Sequence, residues 1–408
     1  MSAAGKHSQP YPWEQRKLGE IATIVGGGTP STKNPEYWDG DINWYSPAEI
    51  GNQIYTEKSE RQITELGLKK SSAKLLPVGT VLFTSRAGIG KTAILNKEAC
   101  TNQGFQSIIP RSKMLNSYFL FSRTNSLKQY GETMGSGSTF VEVSGKQMSK
   151  MPLFIPNINE QSKIAKLFQS LDKTITLHEE KQRQLELLNK ALLQKMFADE
   201  TGYPILRFKG FSNAWKQRKL GEVSSLRGRI GFRGYKQTDL VEKGKGAITF
   251  SPSDIYANGN ISFLNNKYIS IKKYEESPEI QVNTGDILFT KTASIGKIGY
   301  VRKLNEKATI NPQIALLTPK LDFNGYFIFL SIRNDAFMRK VLKIVGGSSV
   351  PTMSQEKLKN LTINFPSSIE QHKLATIFLK IDNLITLHQH KIDNLKRLKR
   401  ALLQKMFV

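Results

Sequence analysis

The chain repeats itself. Residues 160–197 and 370–407 align at a constant offset of 210 without a gap, and about 20 of these 38 positions are identical, including ITLH and ALLQKMF. Further copies fall in order along the chain. WEQRKLGE at 13–20 answers WKQRKLGE at 215–222, and VLFTSRAGIGK at 81–91 answers ILFTKTASIGK at 287–297. Gly137-Ser138, Ser144 and Pro156 answer Gly347-Ser348, Ser354 and Pro366. A duplicated sequence folds as two similar bodies, so any structure for one half must serve the other.

The matched tails read as helices. In the first, Ile164, Phe168, Leu171, Ile175, His178, Gln182, Leu185, Leu188, Leu192 and Met196 recur at three- and four-residue steps. Leu374, Phe378, Ile381, Ile385, His388, Ile392, Leu395, Leu398, Leu402 and Met406 repeat them in the second. Neither tail contains Gly or Pro, and Lys, Glu and Gln fill the positions between. That is a narrow apolar seam suited to a sister helix. The alternative is a helix packed on its own domain's sheet. Asn157 or Asn159 can cap the first helix, Ser367 or Ser368 the second. A helix of this length spans roughly 57 Å, and antiparallel pairing places the two bodies about a pseudo-two-fold axis.

The parts before each tail are richer in β-type runs, at 79–84, 107–109, 247–250, 285–290 and 314–317, with short helices expected at 118–130 and 326–340. The expected fold is α+β: two similar α/β domains with curved sheets, separated by two long helices in an antiparallel coiled coil. The expected segments are an N-terminal arm at 1–11, a domain at 12–157, a helical region at 158–198, a connector at 199–213, a domain at 214–366 and a helical region at 367–408.

Composition points to the partner. Lys and Arg number 59 against 34 Asp and Glu, a net charge of +25. A polyanion relieves that self-repulsion and releases counterions, which favours nucleic acid. One cysteine, Cys100, excludes an internal disulfide, and no apolar run is long enough to span a bilayer. A reducing, cytoplasmic setting is expected.

Several motifs suggest chemistry and lose to simpler readings. AGIGKT at 87–92 lacks the first glycine of a phosphate loop, and its copy, SIGKI, lacks the final Ser/Thr. It reads as a tight turn presenting Arg86, Lys91, Lys291 and Lys297 at an exposed edge. Asn311-Pro312-Gln313-Ile314 is only a partial match to a methyltransferase tetrapeptide and reads as a structural turn. The EEK at 179–181 reads as a charged helix face, and His178 and His388 as seam residues rather than metal ligands. No catalytic residue and no metal ligand is assigned.

These residues resemble the specificity subunits of type I restriction-modification systems. The resemblance runs from Trp13 to Phe407 and is carried by RKLGE at 16–20 and 218–222, by 76–94, by TNQGF at 101–105, and by EQ-x-K-x-A…LLQKMF in both tails. The N-terminal residues 1–9 depart from it, lacking the LRF-x-x-F pattern found at 206–211, and receive no role. The resemblance implies a non-catalytic subunit with two target recognition domains that read an asymmetric bipartite site in double-stranded DNA. It implies two modification subunits as partners, and restriction subunits in the full complex. S-adenosylmethionine, ATP and magnesium are then expected on those partners, and no cofactor on this chain. Two rivals stay open: an enzyme in its own right, and a coiled-coil assembly protein whose charge serves RNA.

Candidate DNA contacts in the first domain are Thr29, Ser31 and Lys33, Arg86 and Lys91, and Ser136 and Ser138. In the second they are Arg227, Arg229, Arg233, Tyr235 and Lys236, then Lys291, Lys297 and Ser348. The arginines between glycines at 227–236 suit phosphate contacts or bidentate readout of guanine. Ile164, Phe168, Leu171, Ile175, His178, Leu185, Leu192 and Met196 are expected to serve helix pairing or partner docking. Leu374, Phe378, Ile381, Ile385, His388, Leu395, Leu402 and Met406 do so in the second tail.

Overall fold

A computed structural model of the chain describes residues 13–407 except 52, 87, 136–140, 230–233, 293 and 346–351. Two compact units divide it: residues 1–178 with 391–408, and residues 179–390.

In the first unit, a five-stranded sheet has the order Ala22–Gly26, Gln106–Pro110, Val81–Phe83, Thr92–Leu95, Tyr55–Thr56, with only the last pair parallel. A three-stranded sheet of Arg61–Ile63, Trp38–Tyr45 and Ala99–Thr101 lies beyond it. The second unit has an all-antiparallel sheet, Ser224–Gly228, Ile314–Pro319, Ile287–Thr290, Ile298–Tyr300, and a second four-stranded sheet that includes Ala247–Phe250 and Ala308–Ile310. In both units the RKLGE strand pairs antiparallel with the strand just before the long helix, Glu14–Lys17 with Pro152–Ile155 and Lys216–Lys219 with Thr362–Phe365.

The long helices are Ile158–Met196 and Ser368–Met406. Asn157 Oδ1 accepts the Glu160 amide at 3.0 Å, and Ser367 Oγ accepts the Glu370 amide at 3.4 Å, so one of the two candidates caps each helix. The glutamine of the EQ motif fastens the helix start to its own domain. Buried Gln161 donates to the Met114 and Pro156 carbonyls and accepts the Asn116 amide; Gln371 repeats this with Pro366 and Asn324.

Pairing is antiparallel in each unit. In the first, Phe168 stacks with Phe407 while Asp172 meets Lys399. In the second, Phe378 meets Phe197, Asp382 meets Asn189, and Gln389 meets Gln182. The closing phenylalanine of ALLQKMF explains why that motif is repeated. Phe407 sits among Trp13, Phe119 and Phe168, and Phe197 among the matching Trp215, Phe327 and Phe378. Each long helix therefore packs on its own domain at its start and on the other helix's domain at its end. Burying a phenylalanine contributes about 1.5–3 kcal/mol, so both readings of the seam are realised together.

Three expectations need correction. Each expected short helix is two: Ser117–Ser122 with Thr124–Met134, and Gly325–Arg333 with Asp335–Val345. Asn334 breaks the second by taking an extended backbone and accepting the Ala336 amide at 2.9 Å. Leu188 and Leu398, read as seam residues, are 47% and 48% exposed. Asn189 and Lys399 occupy the seam there, drawn in by Asp382 and Asp172.

Candidate nucleic-acid interface

Three segments converge at one end of the main sheet in each unit. They are the loop leaving its first strand, the glycine turn, and the segment before the last short helix. In the first unit the TNQGF turn ties them. The Gly28 amide donates to Thr101 O at 2.8 Å, the Ser85 amide to Gly104 O at 2.8 Å, and Thr29 Oγ1 to Gln103 Oε1. The Val143 amide then donates to Ser85 O. In the second unit Asn311-Pro312-Gln313 takes the same part: the Lys291 amide donates to Gln313 O at 2.8 Å and the Met353 amide to Lys291 O. Asn102 and Asn311 each accept the amide two residues on, which fixes the turn.

The glycine turn is held identically. Thr84 Oγ1 donates to Gly88 O and accepts the Lys91 amide; Thr290 Oγ1 donates to Ser294 O and accepts the Lys297 amide. Gly90 and Gly296 have φ of 97° and 88°, where a side chain is strained. The turn's conformation thus comes from a threonine and a glycine, and its lysine is left to face outward.

Placement sorts the candidate residues. In the first unit Ser31, Lys33 and Lys91 are exposed, Thr29 is half-buried, and Arg86 is half-buried with its guanidinium 3.9 Å from Glu142. In the second, Lys236 and Lys297 are exposed, Lys297 donating to Pro252 O at 3.2 Å. Lys291 is half-buried, its ammonium lying against Gly228, and loss of solvent pulls its pKa down. Ser136, Ser138, Arg233 and Ser348 lie outside the described residues, as do residues 1–9.

Arg229 is a correction. It is 3% exposed, and its Nε and Nη2 donate to Ile310 O and Thr309 Oγ1, both at 3.1 Å. The guanidinium holds the first sheet's edge to the second sheet and is not presented to a base. Arg227 is half-buried and spends Nη1 on the Glu279 carbonyl at 3.1 Å. Tyr235 packs against Ala247, Ile269 and Tyr274 as a partly buried apolar body. Among the described residues of 227–236, Arg227 and Arg229 anchor the segment and Lys236 is an exposed cation. Gln103 and Gln313, exposed on the tying turns, carry amides suited to base edges and were missed by the sequence reading. The equivalence of the two turns was the signal that could have found them.

Among the helix residues, Ile164, Phe168, Ile175 and Met196 are buried, as are Leu374, Phe378 and Ile381. Leu171, His178, Leu185, Leu192, Ile385, His388, Leu395, Leu402 and Met406 are half-buried. Among the described residues no group of three or more His, Cys, Asp or Glu is placed to hold a metal ion, and no helix is long and apolar enough to cross a membrane.

The chain matches the family described as type I restriction modification DNA specificity domain twice, over residues 10–187 and 212–397. It belongs to that family. The type I restriction enzyme MjaIX specificity subunit of Methanocaldococcus jannaschii is 30% identical over 97% of this chain and 93% of its own length. The EcoR124I/EcoR124II specificity subunit of Escherichia coli is 31% identical over 43% of this chain and 45% of its own. The crystal structure of a type I restriction-modification S subunit from M. genitalium shares the fold, with a TM-score of 0.64 at 16% identity over 99% of this chain and 98% of that one. Each of the two specificity domains of this specificity subunit carries a sheet-end cluster of exposed lysines and amides.

Proposed function

We propose that the chain is the DNA-reading specificity subunit of a type I restriction-modification complex, with no catalysis of its own. Each domain reads one half of an asymmetric, two-part target in double-stranded DNA. The observation that carries this reading is the repeated sheet-end cluster, built on the same threonine–glycine frame but with different outward residues: Ser31, Lys33, Lys91 and Gln103 in one unit, Lys236, Lys297 and Gln313 in the other. Equal frames with unequal faces are suited to unequal half-sites. Lysines set the register through phosphates and amides read base edges.

Methylation and cleavage then fall to partners carrying S-adenosylmethionine, ATP and magnesium, with two modification subunits and restriction subunits in the full assembly. The number two draws support from the duplication. Leu177 and Leu387 are equivalent and 58% and 47% exposed, as Leu188 and Leu398 are equivalent and exposed. The first unit holds Leu177 and Leu398; the second holds Leu387 and Leu188. Each unit thus offers the same leucines to the same kind of partner.

Sequencing of methylated sites in cells carrying this chain and its modification partner tests the whole reading. The expected result is a bipartite motif with a fixed gap, of which replacing residues 12–157 by another domain changes only one half. A single contiguous motif, or a change in both halves, overturns it.

A further inference from the structure

A second duplicated turn stands beside the tying turn in each unit. SPAE at 46–49 and SPSD at 251–254 each follow a strand directly, Trp38–Tyr45 and Ala247–Phe250. Both strands pair in parallel with the strand that enters the tying turn, Ala99–Thr101 in one unit and Ala308–Ile310 in the other. Parallel neighbours end side by side, so the two turns leave the sheet together. Hydrogen bonds join them at the exit. The Asn102 amide donates to Tyr45 O at 3.0 Å, and the Asn311 amide to Phe250 O at 2.9 Å.

The two turns are built alike. The Glu49 carboxylate accepts the Ser46 amide at 2.7 Å, and the Asp254 carboxylate accepts the Ser251 amide at 2.7 Å. Each carboxylate thereby closes a short 3-10 turn over Pro47–Glu49 or Pro252–Asp254, and the proline presets its φ. Pro47 lies against Gly104 of the tying turn, where an added Cβ would stand 2.7 Å from the proline ring. Pro252 O accepts the Lys297 ammonium at 3.2 Å. The turn is thus seated against the sheet-end cluster in both units.

One position of the motif is neither proline nor cap. Ala48 and Ser253 occupy it, and both are exposed. The same backbone carries a methyl group in one unit and a hydroxyl in the other. That hydroxyl is oriented: Ser251 Oγ donates to Asp254 at 2.7 Å, so the proton shared with Ser253 Oγ, 2.7 Å away, comes from Ser253. The free lone pairs of Ser253 Oγ are then left as acceptors.

We propose that Ala48 and Ser253 are specificity-determining residues, each reading one base pair of the half-site that its own domain recognises. The assignment rests on the DNA-reading function proposed above. Ala48 makes apolar contact with a thymine methyl group in the major groove, and Ser253 accepts a hydrogen bond from the exocyclic amine of adenine or cytosine. The prolines and acidic caps only position these two side chains.

Exchanging the two residues tests this, because each variant carries a side chain that the same frame already holds in the other unit. Ala48→Ser and Ser253→Ala are placed singly in the full chain, and methylated sites are sequenced in cells that also carry the modification partner. Both variants should keep the parent melting temperature within a few degrees. Ala48→Ser should alter or relax one base pair in the half-site governed by residues 12–157, and Ser253→Ala one base pair in the other. Discrimination at that pair, measured by competition between duplexes, should fall about tenfold while the rest of the motif stays as it was. A motif unchanged at every base pair overturns the assignment. So does a loss of affinity equal for all sequences, which would make the turn a phosphate contact. A parent chain that directs no bipartite methylation overturns the DNA reading itself, and this assignment with it.

Discussion

Lys399 donates to both carboxylate oxygens of Asp172, at 2.6 and 2.8 Å, on the paired helix faces of the first unit. Tyr118 Oη donates to the same carboxylate at 2.6 Å. The second unit keeps the aspartate and tyrosine, as Asp382 and Tyr326, but offers Asn189 where Lys399 would stand. There the positive charge comes from the domain, with Arg302 donating to Asp382 at 2.6 Å. A buried carboxylate is thus neutralised in both units from two different places.

Removing one partner of such a pair strands the other. Lys399→Met should destabilise the first unit by about 1–3 kcal/mol, because Asp172 keeps only the tyrosine. Adding Asp172→Asn should recover part of the loss, since the stranded charge is gone. Denaturant unfolding followed through Trp13 measures both, and a Lys399→Met midpoint equal to that of the parent chain would dismiss the pair as idle.

The tyrosines give the pair a pH signature. Burial first, and then the neighbouring Asp172 or Asp382 carboxylate, through its charge and the hydrogen bond it accepts, hold the Tyr118 and Tyr326 hydroxyls above the ordinary tyrosine value of 10.0. A group whose folded pKa is raised contributes stability that is complete below the unfolded value and lost as pH rises through the folded one. Stability should therefore be insensitive to these groups below about pH 10 and fall above it. Ultraviolet titration should show exposed tyrosines ionising first and the buried ones only as the chain unfolds. A single step near pH 10 in a folded chain would contradict this.

The interface residues separate by role. Arg229→Met should lower the stability of the second unit by about 1–3 kcal/mol by leaving Ile310 O and Thr309 Oγ1 without their donors, with no change in preferred bases among molecules that remain folded. Lys91→Ala and Lys297→Ala should leave stability intact and each reduce the slope of log affinity against log salt by about 1. Binding isotherms at several salt concentrations decide the matter. An altered base preference in folded Arg229→Met would return that residue to the DNA surface.

These cases mark where the sequence was legible. The two helices, the duplicated domains and the glycine turns were readable because each leaves a period or a copy in the chain. Arg229 was not readable, since an arginine between glycines looks solvated until the carbonyl of Ile310, some eighty residues away, comes beside it. Leu188 and Leu398 fitted the apolar period, but the neighbouring Asn189 and Lys399 gained more by meeting a buried aspartate. In both cases a long-range polar partner decided which side chain turned inward, and no local spacing records such a partner.

That exchange at the seam makes the leucines separable. Leu192 and Leu402 pack against the cores of the second and first units respectively, so Leu192→Asp or Leu402→Asp buries a charge and should loosen the helix pair itself. Leu188 and Leu398 already stand in solvent, and aspartate there costs the fold little. Leu188→Asp and Leu398→Asp should keep the parent melting temperature within a few degrees, and lose the modification partner on size-exclusion chromatography. One variant should remove one copy, and the double variant both, because each unit carries one member of the equivalent pair. Full assembly by the double variant would move the docking surface away from these leucines. Loss of assembly together with a lowered melting temperature would place them in the fold instead.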